Sequence, residues 1–191
     1  MRKPGLYVAA ACIVSLALLG STPSPNAEER SEEGSIVGTW IVTTTVNIPG
    51  APLFAFTELA AFNPGGTVID THAIAHSSEN PFLPPAVAVD SSDSFGSWRR
   101  LRDSHQFAVT FKRLLFAGAN TPTALYGPFF PGQHVGFETV QAVLTVHAGS
   151  DGDTLEGPFT VQFANLGGQM VFASSGTVSA KRLEIEPLAT R

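Results

Sequence analysis

Residues 154–185 read TLEGPFTVQFAN, then LGG, then QMVFASSGTVSAKRLEI. Two runs rich in Val, Phe and Thr alternate apolar and polar side chains and meet at a three-residue turn with two glycines. Alternation with period two marks a strand with one buried face, and Gly at the junction marks a hairpin. The same pattern recurs upstream in Ile36 to Asn47, Leu53 to Asn63, Thr67 to Ile74, Phe95 to Leu101, His105 to Phe116 and His134 to Ala148. Short turn signals separate most of these runs, among them Pro64-Gly65-Gly66 and Arg102-Asp103-Ser104, and no helical period lies between them. Eight consecutive runs of this kind predict a single all-β domain, an eight-stranded antiparallel up-and-down barrel, with a β-sandwich as the alternative. Barrels of that size hold small molecules in their mouths.

Two connections are longer. Residues 75–94 are rich in Ser, Asn, Asp and Pro, with Pro81, Pro84 and Pro85, and residues 117–132 carry Phe129-Phe130 between Pro128 and Pro131. Long loops on a barrel serve as lids or binding loops. Phe82, Leu83, Phe129 and Phe130 are expected to cap the mouth, to meet a partner or membrane, or to fold back onto the core edge.

The chain before the first run reads differently. Met1-Arg2-Lys3 is a basic start, Gly5 to Gly20 is uncharged and mostly apolar, and Ser21 to Ala27 is small and broken by proline. That order is expected of an export signal over residues 1–27, placing the protein outside the cytoplasm, secreted or periplasmic. The apolar run, about 15 residues, falls short of the ~20 of a spanning helix. A retained N-terminal anchor is the alternative. Residues 28–35, with Glu28-Glu29 and Glu32-Glu33, read as a solvated acidic linker, and 36–187 as the barrel domain.

Composition narrows the function. The one cysteine, Cys12, lies within the apolar leader, so cleavage would leave no disulfide, thiol nucleophile or Cys-based metal site. Net charge is −5 and no basic cluster exceeds a pair, which argues against a nucleic-acid partner. Membrane contact is expected only through an uncleaved leader or the apolar loop residues. No Gly-x-Ser-x-Gly elbow occurs, and Gly65-Gly66 and Gly167-Gly168 precede no helix and so read as turns, not as a phosphate cradle. No cofactor is expected, and the oligomeric state is left open.

Alternation assigns the inward faces. The second run places Phe54, Phe56, Glu58, Ala60 and Phe62 together; the fifth, Phe107, Val109, Phe111, Arg113 and Leu115. The sixth gives Glu138, Val140, Ala142, Leu144 and Val146, and the seventh Leu155, Phe159, Val161, Phe163 and Asn165. The last run gives Met170, Phe172, Ser174, Gly176, Val178, Ala180 and Arg182. A one-residue bulge would invert any of these faces. The expected interior is lined by Phe and aliphatic side chains, with Phe54, Phe56, Phe62, Phe107, Phe111, Phe159, Phe163 and Phe172 as candidate ligand contacts. It suits a small apolar molecule or a cyclisable carbon chain.

Gly38-Thr39-Trp40 in the first run and Arg182 in the last carry a resemblance. A Gly-x-Trp on the first strand with a basic residue on the last is similar to the lipocalin, or calycin, signature. The resemblance implies that Trp40 closes one end of the barrel and that Arg182 packs across its ring. The chain departs from that pattern in having no Thr-Asp-Tyr-like middle motif and no C-terminal helix after Ile185. The barrel also resembles the allene oxide cyclase-like fold, which implies cyclisation in an apolar cavity.

The candidate chemistry is acid–base. Glu58 among phenylalanines, and Glu138 beside Val140 and Ala142, would be carboxylates whose pKa desolvation raises, and either with Arg113 would permit proton transfer in a cofactor-independent isomerase or cyclase. The plainer alternative is that they face water or pair structurally with arginine. Asp70, His72 and His76 form a second group of metal-ligand types at a spacing that is not diagnostic, so no metal is assigned. His105, His134 and His147 sit near strand ends and read as solvated.

Overall fold

A computed structural model describes residues 34–48, 52–71, 77–80, 83–102, 105–150 and 152–184. Residues 1–27, read above as an export signal, most of the segment 28–35, His72, His76 and Phe82 lie outside the described residues. Nine strands form one sheet: β1 (Gly38–Asn47), β2 (Phe54–Asn63), β3 (Thr67–Asp70), β4 (Asp90–Ser91), β5 (Ser94–Arg100), β6 (Gln106–Phe116), β7 (His134–His147), β8 (Thr154–Asn165) and β9 (Met170–Arg182). Eight of them pair with their chain neighbours, all antiparallel, and β9 returns to β1 so that the sheet closes. The molecule is therefore the up-and-down barrel that the eight runs predict, not a sandwich. Closure removes the free edges that a flat sheet would expose.

The ninth strand, β4, falls inside the segment read from sequence as a long loop. It pairs Asp90 with Phe116 and Ser91 with Leu115, beyond the stretch of β6 from Phe107 to Lys112 that β5 meets. β4 and β5 are thus one strand interrupted at Ser92-Asp93, where the Ser92 hydroxyl accepts a hydrogen bond from the Leu114 N–H. Preceding it are two 3₁₀ turns, Ser77–Glu79 and Pro85–Val87. Proline supplies no N–H for a ladder, so Pro84 and Pro85 keep this part of the chain out of the sheet. The second long connection holds a single helical turn, α1 (Thr123–Tyr126).

Curling a sheet this tightly requires close backbone approaches. A Cβ at Gly96 would collide with the Thr110 carbonyl and with Phe111 on the next strand, and one at Gly176 with the Thr45 carbonyl and the Phe159 ring. Glycine is the residue that fits such bends in a barrel wall.

Two apolar clusters form the barrel interior. One, around Trp40, Phe62, Phe107, Leu144 and Leu155, plugs the end where β1 begins and β9 finishes. The other, around Val89, Leu115, Tyr126, Val140, Phe159 and Phe163, lies toward the opposite end under α1 and the 3₁₀ turns. Inward faces agree with the alternation reading on β2, β6, β7 and β8. The start of β9 departs from it. The register slips between Phe163 and Ala164, so Met170 pairs with Ala164 and is 59% exposed, although Phe172, opposite Phe163, still turns inward. A single extra residue is enough to invert a strand face.

Candidate functional site

The Trp40 end is closed. Trp40 is fully buried, donates its indole N–H to the Ile36 carbonyl at 2.9 Å, and pairs across the ladder with Arg182. The Arg182 guanidinium lies 4.4 Å from the Trp40 ring centroid, donates to the carbonyls of Val37 and Ser35, and pairs with Asp153 at 2.9 Å. A cation over an indole face, with its N–H groups spent on backbone carbonyls, fixes the first strand against the last.

Above this plug lies a cavity of about 110 Å³. Since roughly 10–15 Å³ of such space holds one water, it has room for a molecule of several non-hydrogen atoms. Phe54, Phe56, Phe62, Phe111, Phe159, Phe163 and Phe172 line it, as the sequence predicts. Phe107 does not. It fills the closed end instead, 5.7 Å from the Trp98 ring centroid and with the Arg100 guanidinium 5.3 Å from its own. Its inward face was legible, but its height along the barrel axis was not, because alternation reports the side of a sheet and not the level.

Four charged side chains meet in this apolar space. The Arg113 guanidinium, 3% exposed, donates through Nη2 to Glu58 Oε1 at 2.8 Å and to Asp70 Oδ2, and through Nη1 to Glu138 Oε1 at 3.0 Å. Its carbon lies 5.2 Å from the Phe111 ring centroid. Glu58 also accepts from the Thr44 hydroxyl at 3.0 Å, and Asp70 from Ser94 at 3.4 Å. Topology explains the meeting. Arg113 and Glu138 are direct partners on β6 and β7. Asp70 is the last residue of the short β3, opposite Ala60 on β2 and Ser94 on β5. β3 and β5 separate β2 from β6 in the closed sheet, and the Arg113 guanidinium meets Glu58 and Asp70 across the barrel interior.

The sequence reading placed Glu58, Glu138 and Arg113 together, and the structure brings them together. It assigned Asp70 to a group with His72 and His76, whereas Asp70 turns to Arg113. Burial pushes the Asp70 carboxyl up to about 7, the neighbouring Glu58 charge adding to the rise and Arg113 and Ser94 opposing it. Burial works against the Arg113 charge, but the fields of Glu138, Glu58 and Asp70 outweigh it and hold its pKa above the usual value. The Tyr126 hydroxyl is raised by burial and then by Glu138, and it donates to the Ala86 carbonyl at 2.6 Å.

Val42, Thr44 and Val46 on β1, and Ser77, Leu83, Val87, Val89 and Ser91 from the first long connection, also line the cavity. Alternation outward from Trp40 identifies the β1 residues. The others carry no such signal, because that segment is neither a regular strand nor a helix. These five residues of the first long connection therefore form part of the cavity wall. The second connection packs beside it: Phe129 and Leu125 lie against the core cluster and Phe130 is 80% exposed. Leu83 likewise folds onto the core.

Comparison with protein-family models, with curated proteins and with solved structures returns no match. The likeness to lipocalins is thus one of architecture: a closed eight-stranded antiparallel barrel with Arg182 across Trp40.

Proposed function

We propose that this protein binds a small, largely apolar molecule inside the barrel without forming a covalent bond to it. The observation that supports this is the cavity of about 110 Å³, plugged at one end by Trp40 and Arg182 and walled by Phe and Val. A filled barrel, acting only as a structural module, would leave no such space. Burying a six-carbon chain at about 0.8 kcal/mol per methylene supplies roughly 5 kcal/mol, which corresponds to sub-millimolar affinity before association costs. The test is native mass spectrometry of the protein purified from its own host, with displacement of an environment-sensitive apolar dye as a second readout. A stoichiometric small molecule, or dye binding that Phe56→Trp abolishes by filling the cavity, supports the reading. A clean apo mass with no dye response defeats it.

One observation favours a second reading, a cofactor-independent isomerase or cyclase of the allene oxide cyclase-like kind. Asp70, with its pKa near 7, is poised to hold or release a proton beside the cavity at neutral pH. An enzyme would lose turnover in Glu58→Gln and Asp70→Asn while still binding ligand, whereas a carrier would keep its affinity. Export is also a proposal, supported by the charged, apolar and proline-broken order of residues 1–27, and cell fractionation with N-terminal sequencing tests it.

A further inference from the structure

Among the described residues, the most exposed large apolar side chains are Leu53, Phe95, Phe130, Leu166 and Met170, each 55–80% exposed. All of them lie at the barrel end opposite Trp40. There β2, β5, β7 and β9 begin and β6 and β8 finish. Leu53 leads into β2, Phe95 follows the first residue of β5, Phe130 stands between β6 and β7, and Leu166 and Met170 bracket the β8–β9 turn. In the closed strand order these positions are spread around the circumference, so they ring the end and do not line one flank. Leu114 and Phe137, direct partners on β6 and β7, extend the ring on the outer wall. Phe95 pairs with Lys112, two residues from Leu114, and Phe137 connects through Ala164 to Met170. Single exposed apolar residues are ordinary, but a concentration at one end marks a contact surface.

Charge is distributed the other way. Among the described residues, exposed Arg99, Arg100, Arg102, Glu156, Lys181 and Glu184 surround the Trp40 end, whereas the opposite end carries only Glu79, Asp93 and Lys112. The molecule is thus polarised along the barrel axis, apolar at one end and charged at the other. A ring of apolar side chains in a plane across that axis meets a flat apolar phase on all sides at once. A partner lying against one flank would leave the far side of the ring in water. With a single lysine at this end and a net charge of −5, attraction to anionic headgroups does not drive the contact, and apolar burial does. We propose that this end docks on a lipid bilayer, with the ring at the boundary of headgroups and acyl chains and the Trp40 end in water. The proposal stands on the outer surface alone and does not require the cavity to hold a ligand.

The test is flotation of the whole protein with phosphatidylcholine vesicles. The expected result is co-flotation that Phe130→Ser with Leu166→Ser lowers at least tenfold. Ile41→Ser, which removes an exposed apolar side chain beside Trp40, leaves it unchanged. Both side chains of the double variant are exposed, so its thermal unfolding stays with the parent's. Phe130→Trp reports the position independently, its fluorescence being quenched by phosphatidylcholine brominated in the acyl chains. No flotation, or no quenching, overturns the proposal. Flotation that the double variant leaves intact assigns attachment to residues 1–27 or to another face and overturns it equally. Binding seen only with added phosphatidylserine replaces apolar burial by headgroup charge and also overturns it. Self-association that the double variant abolishes, without vesicle binding, gives this end to a second copy of the chain instead.

Discussion

Replacing Arg113 with Met removes the cation that three buried carboxylates share, with little change of volume. Arg113 is 3% exposed and its partners Glu58, Asp70 and Glu138 are all buried, so bulk solvent does not replace its charge. Breaking a buried ion pair by deleting one partner costs about 3–5 kcal/mol, because the remaining charge stays desolvated and unpaired. Three carboxylates left together put this case near the top of that range. A domain of this size has a total stability of about 5–15 kcal/mol, so the variant approaches the unfolding threshold at neutral pH. With a urea m-value of about 2 kcal/mol/M, the midpoint falls by about 2 M. The sign with pH follows from the same physics. Without the guanidinium, burial and mutual repulsion raise the folded-state carboxyl pKa values above those of the unfolded chain. Protonation then favours the fold, and Arg113→Met regains stability as pH falls from 8 to 5. Adding Glu58→Gln and Glu138→Gln to Arg113→Met restores much of the loss at pH 8, since no unpaired charge then remains at those positions. The assay is urea unfolding followed by Trp40 and Trp98 fluorescence at both pH values. A midpoint at pH 8 within about 0.3 M of the parent would refute the buried cluster as described, given the 3–5 kcal/mol expected for it.

The parent protein should also respond to pH through Asp70. Its carboxyl rises from 3.8 to about 7 on folding, so the stability it contributes is fully present below pH 4 and is lost as pH rises through 7. The whole change is on the order of 4 kcal/mol at 1.36 kcal/mol per pH unit, of which about 2–3 kcal/mol falls between pH 5 and 8, and Asp70→Asn, measured by the same unfolding curves at those two values, removes that part of the decline. At the closed end, Arg182→Met deletes the cation over Trp40 and the hydrogen bonds to Ser35 and Val37. The expected cost is about 2–3 kcal/mol, a Tm lower by roughly 5–10 °C in calorimetry, with dye binding in the cavity unchanged. Loss of dye binding at unchanged Tm would reverse the roles assigned to the two ends.

Local order in this chain was legible because a strand writes its faces into the sequence. Phe54, Phe56, Glu58 and Phe62 share a side whatever the rest of the molecule does, and so do Arg113 and Glu138 with their own strand neighbours. Gly65-Gly66 and Gly167-Gly168 name their turns, and Gly65, Gly66 and Gly168 take positive φ there. Count and spacing of the runs then leave few ways to bury eight apolar faces, and the barrel follows. Three features needed the tertiary structure. Met170 turns outward because a one-residue register slip is set by strand pairing, not by composition. Phe107 leaves the cavity for the plug because the stagger of the closed sheet decides how far along the axis each residue stands. Asp70 joins Arg113, and Ser91 reaches the cavity wall, because β3 is short and an interrupted strand crosses beside it. Alternation has a range of a few residues, so it determines on which side of its strand a residue lies. Which carboxylates converge on one guanidinium is a long-range property, decided only when β2, β3, β6 and β7 close around a common interior.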